Sequence, residues 1–276
     1  MKADKLTSII KSVVFSIIYL LIYMLSCNLI GALMWQPPEN GLNGIVILNR
    51  VLNITVAFLI YIFIFKIRKL NLFSCCKFKV ALGLKSLLLC ISLGISISVF
   101  ILCFLEINYF QPYLVGVKEF FSQFNNENIF YQMLFNITIF ALSEEILFRG
   151  LIFNELRKSL PTVAALIIQA LPAILQPDPV VGAFGFASML ICCYVYICFN
   201  SIWGSFTVLY ASHLFVMLAG RFGLNTWLAG LDDSILIFGI ASSMLITAGL
   251  LAYIWKNYRC PDKHKYEETK AFSTIN

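Results

Sequence analysis

Apolar runs of membrane-spanning length, separated by short charged loops, recur along this chain and leave it little choice of architecture. A helix needs about 20 apolar residues, at about 1.5 Å each, to cross about 30 Å of hydrocarbon. Eight stretches stand out: residues 12–34, 46–65, 84–105, 129–154, 161–176, 180–199, 202–220 and 235–255. Charged residues make up only 12% of the chain and hydrophobic ones 60%, whereas soluble domains carry about 25% charge. The expected fold is therefore all-α, a polytopic membrane bundle of about eight transmembrane helices. No polar stretch is long enough to fold alone, so residues 1–276 are read as a single integral-membrane domain.

The loops set the expected orientation. Lys2, Lys5 and Lys11 precede the first span, and Lys66, Arg68, Lys69, Lys77, Lys79 and Lys85 lie between the second and third. Arg157 and Lys158 follow the fourth span, and Lys256, Arg259, Lys263 and Lys265 follow the eighth. The alternate loops carry Glu39, then Glu106, Lys118, Glu119 and Glu127, then Asp178, then Arg221, Asp232 and Asp233. Basic loops stay on the cytoplasmic side, so both termini are expected there, with residues 256–276 as a cytoplasmic tail. A multi-pass chain of this kind is expected in the plasma membrane. The first apolar run is too long for a signal-peptide core and lacks a small-residue cleavage site, so it is read as retained. The net charge of +6 then reflects topology and attraction to anionic lipid at the basic loops. No nucleic-acid partner is expected.

Nine cysteines do not form a disulfide framework or a zinc-type spacing. Most lie in apolar runs, where the thiol behaves as a small hydrophobe. Cys75 and Cys76, in a basic stretch, are either ordinary juxtamembrane residues or acylation sites.

The chemistry concentrates in "ALSEEILFRGLIF", residues 141–153. A charged side chain at the centre of a span costs about 2.5–3.5 kcal/mol on insertion scales, so such residues face the protein interior and mark sites. Glu145 and Arg149 stand at i and i+4 in the favourable order and can pair. Glu144 is turned about 100° away from Glu145 and has no partner at that spacing. This arrangement separates a bracing ion pair from a free carboxylate suited to act as general base for water. The competing reading places all three near the membrane interface, with Arg149 snorkelling to water. By helix rise, Glu144 lies about 18 Å from its helix's end and His213 about 16 Å from its own, a matched depth.

The fifth span is broken. "LPAILQPDP" carries Pro172, Pro177 and Pro179, and a residue preceding proline is pushed out of the α region. The helix from 161 is expected to stop near Gln176 after about 24 Å, short of a crossing. Broken helices at membrane depth are buried in protein or line a wet cavity. Gln169 and Gln176, seven apart, are expected on one face, where they turn to the cavity or to a neighbouring helix.

"EEILFRG" resembles the first motif, EExxxR, of the CPBP family, which includes CAAX prenyl proteases and bacteriocin-processing and self-immunity proteins and is also called the Abi family. The resemblance covers about residues 129–220. It implies an intramembrane protease fold of eight helices around a cavity, with Glu144 and His213 as catalytic residues and Glu145 and Arg149 as a structural pair. It also implies a peptide or membrane-protein substrate. The family was long described as metal-dependent, so the resemblance allows a divalent metal, while a Glu plus one His falls short of the three protein ligands usual at catalytic zinc. Two family motifs are altered. The phenylalanine and histidine of FxxxH are replaced by Pro172 and Gln176, and the asparagine of HxxxN by Met217. An amide at Gln176 can donate to an oxyanion but cannot shuttle a proton. Two functions follow: an intramembrane endopeptidase of this family, or a catalytically impaired relative acting as a membrane-bound immunity, scaffold or regulatory protein. No internal repeat supports a transporter.

Overall fold

The computed structural model describes residues 2–33, 43–114, 132–176 and 178–258. The expected tail beyond Tyr258 and most of the loop from Glu106 to residue 129, including Glu119 and Glu127, lie outside these residues, as does Glu39. No strand occurs among the described residues. The main helices are α1 (Lys2–Leu33), α2 (Asn43–Ile67), α3 (Leu84–Glu106), α4 (132–156), α5 (Thr162–Ala170), α6 (Pro179–Phe199), α7 (Ile202–Arg221) and α8 (Asp233–Tyr258). Stretches within α1, α3, α6, α7 and α8 are long and apolar enough to cross a membrane, while Val51–Ile67 and Thr162–Leu175 are shorter apolar stretches. The all-α membrane bundle of the sequence reading is the architecture found. The chain is an integral membrane protein.

Between helices there is no water to expel, so small residues and hydroxyls decide the packing. Helix α3 illustrates this, seated between α7 and α8. A Cβ at Gly94 would stand 2.5 Å from the carbonyl oxygen of Val208 and 2.9 Å from Cβ of Ala211, so only glycine permits this approach. One turn on, Ser98 Oγ donates to the Ser212 carbonyl at 2.9 Å and lies 2.9 Å from Ser212 Oγ. Ser96, on the other side of α3, donates to the Ser243 carbonyl of α8 at 2.9 Å and meets Thr247 Oγ1 at 3.0 Å. Two residues turn a helix by about 200°, so this short Ser-x-Ser addresses two neighbours.

Helix α4 runs through Gln132–Ile139, Phe140–Glu145, Ile146–Phe153 and Asn154–Leu156, alternating wide i→i+5 turns with ordinary ones. Such wide turns cluster at functional sites. Helix α5 (Thr162–Ala170) tightens into a 3₁₀ turn at Leu171–Leu175, because Pro172 cannot continue the ladder. The pair α6 and α7 is joined at Asn200, which adopts the left-handed conformation (φ 51°) that asparagine tolerates. Ser201 then caps α7 by accepting from Trp203 N.

Candidate functional site

The motif helix enters the bundle between α1, α5, α6 and α7, and a cavity of about 460 Å³ opens beside it. Phe140, Glu144 and Phe148, spaced by four, line it from α4. Helix α7 presents Val208, Leu209, Ser212, His213 and Val216, one face at helical spacing. The broken end of α5 contributes Pro172, Ala173, Leu175 and Gln176, while α6 adds Gly185, Ser188, Met189 and Cys192. Apolar walls with a few convergent polar groups are the usual construction of a ligand site.

Glu145 and Arg149 form the ion pair their spacing predicts, Nη1 to Oε1 at 3.0 Å, with both side chains buried. Arg149 Nη2 also donates to the Met189 carbonyl of α6 at 3.1 Å. The pair therefore ties α4 to α6 as well as bracing its own turn, and Arg149 itself reaches the cavity wall. Glu144, half-buried, lines the cavity without a hydrogen-bond partner among the described residues. His213 faces the same space, its ring 6.3 Å from that of Phe140, one turn before Glu144. Ser98 holds the preceding residue, Ser212, and so fixes the register of the histidine helix.

Gln176 is exposed at the cavity's edge, in extended conformation after the 3₁₀ turn. Gln169 does not accompany it. Its Nε2 donates to the carbonyls of Leu166, at 3.2 Å, and Met189, at 3.3 Å, and the residue is fully buried. The expected common face assumed a continuous helix, and the turn at Pro172 separates the two amides. Met217, where the family motif has asparagine, is buried at 1% exposure and absent from the cavity wall. Sequence reasoning also missed Ser188, Met189 and Cys192. Their clue was the pair Gly182 and Gly185 on α6, which lets the broken helix pack closely: a Cβ at Gly182 would lie 3.2 Å from the Ala173 carbonyl.

A metal finds no home in this donor set. Among the described residues, no three His, Cys, Asp or Glu side chains converge, and one imidazole with one carboxylate falls short of the three protein ligands usual at catalytic zinc.

An apolar helical bundle whose cavity is lined by a carboxylate, an imidazole and an amide belongs to the class of integral membrane proteins with an internal polar site. Residues 126–214, about a third of the chain, match the family described as type II CAAX prenyl endopeptidase Rce1-like. That segment contains Glu144, Glu145, Arg149, Gln176 and His213, so the similarity to CAAX prenyl endopeptidases covers the residues that line or brace the cavity. No curated protein and no solved structure matches the chain.

Proposed function

We propose that this protein is an intramembrane endopeptidase in which Glu144 activates water. Glu144 takes a proton from water as the oxygen attacks the scissile carbonyl carbon, and later passes it to the departing amine. His213, as neutral imidazole, donates a hydrogen bond to the tetrahedral oxyanion, and Gln176 offers a second donor from the cavity edge. Glu145 and Arg149 hold the helix that carries Glu144. The substrate is a peptide or membrane-protein segment, the membrane is the plasma membrane, and the charge alternation of the loops supports both termini in the cytoplasm.

The observation that carries this reading is that Glu144, His213 and Gln176, drawn from three helices, meet in one cavity. A free carboxylate in an apolar wall is costly and has no bracing role to account for it.

One observation favours a second reading. Gln176 and Met217 replace a histidine and an asparagine of the family motifs, which suits a member that binds a peptide, lipid or protein without cleaving it, as an immunity, scaffold or regulatory protein would.

The deciding experiment compares membrane and secreted peptides by quantitative mass spectrometry in cells expressing wild type or Glu144→Gln at equal levels. Products that vanish in the variant establish the protease and name its substrate. Identical profiles, with a phenotype on deletion, transfer the assignment to the binding role.

A further inference from the structure

The lysine-rich end of the molecule holds a second constellation that the cavity chemistry does not use. After α2 the chain folds into a small cap from Arg68 to Leu84. A one-turn helix, Leu72–Cys75, is capped by Asn71 Oδ1 accepting from Ser74 N at 3.2 Å. The chain then doubles back, Phe78 N donating to the Phe73 carbonyl at 3.3 Å with the two rings 5.7 Å apart.

The inner side of this cap is fully engaged. Arg68 makes two hydrogen bonds to Glu155 at 2.9 and 3.0 Å, and Asn154 Nδ2 donates to the Cys75 carbonyl at 2.8 Å. Trp203 Nε1 donates to the Phe78 carbonyl at 2.8 Å, and Ser201 Oγ to that of Val80 at 2.5 Å. Lys77 bonds Asn200. The cap is thus pinned to the ends of α4 and α7.

The outer side is not engaged. Lys66, Lys69 and Lys79 are exposed and have no acid partner among the described residues. Glu155, the acid at this end, is already shared between Arg68 and Lys158. The same stretch of chain carries Ile67, Phe73 and Leu84, at 66%, 51% and 73% exposure. Water alone disfavours such apolar side chains, and pure hydrocarbon disfavours the lysines. The boundary of an anionic bilayer accommodates both, with phosphates meeting ammonium groups and acyl chains meeting the aromatic and aliphatic ones.

We propose that this cap is a binding site for the headgroup of an anionic phospholipid, held by Lys66, Lys69 and Lys79 with Phe73 and Leu84 in the acyl boundary beneath. The proposal is independent of whether the cavity is catalytic.

The full chain, purified in detergent and stripped of lipid, is titrated with phosphatidylglycerol or with phosphatidylcholine of the same acyl chains, and bound lipid is counted by native mass spectrometry. Wild type is expected to prefer phosphatidylglycerol, and K66Q/K69Q/K79Q to lose about 100-fold of that preference. A K5Q/K256Q variant, with cations removed outside the cap, keeps it, and inorganic phosphate at millimolar concentration does not displace the lipid. Equal retention of both lipids by wild type overturns the proposal, as does a preference that survives in the triple variant. Equal loss in K5Q/K256Q assigns the attraction to net charge and overturns the site, and displacement by inorganic phosphate makes it a phosphate site instead.

Discussion

Glu144 and Glu145 are chain neighbours with different surroundings, because a helix turns about 100° between them. Glu145 is consumed by Arg149, while Glu144 faces the cavity. Replacing each with glutamine therefore has different consequences. Glu144→Gln keeps size and shape but removes the proposed base, so on that proposal cleavage is expected to fall about 10²–10⁴-fold with thermal stability unchanged. Glu145→Gln strands the buried Arg149 charge and is expected to cost about 3–5 kcal/mol, read as a lowered thermal midpoint in detergent. His213→Ala removes the proposed oxyanion donor, and on that proposal a loss of about 10²–10³-fold in formation of the product that Glu144→Gln abolishes is expected.

At the scale of elements, contacts between distant helices set what local sequence leaves open. Gly94→Val places atoms inside the Val208 carbonyl contact of 2.5 Å, so α3 and α7 must separate. His213 then loses its register, and both stability and activity are expected to fall. The junction of α2 with α4 responds to acid. Burial would raise the Glu155 carboxyl, but hydrogen bonds from Arg68 and Lys158 outweigh it and hold it below its ordinary value. Stability from this group is complete above the ordinary carboxylate pKa of about 4.3 and is lost as pH falls through the lower folded value. The thermal midpoint of wild type is expected to drop across that window. That of Glu155→Gln starts lower and changes less there.

At the scale of the molecule, the cavity separates a site from a scaffold. Ser188 lines it from α6, and Ser188→Trp is expected to project an indole ring into the roughly 460 Å³. Substrate cleavage is expected to fall by at least an order of magnitude with little change in helical content by circular dichroism. Abolished cleavage with intact folding assigns the chemistry to this space.

The sequence by itself determined the membrane bundle, the ion pair and the break in α5. Each follows from interactions within one segment: apolar length against bilayer thickness, an i,i+4 spacing and the missing N–H of proline. Tertiary structure alone decided which side chains share the cavity. Gln169 and Gln176 look equivalent at a spacing of seven, yet the 3₁₀ turn sends one into the α5–α6 contact and leaves the other at the cavity edge. Arg68 finds Glu155 across 87 residues, and Ser98 finds Ser212 across 114. No local period encodes such pairings, because they depend on how closely small residues let whole helices approach.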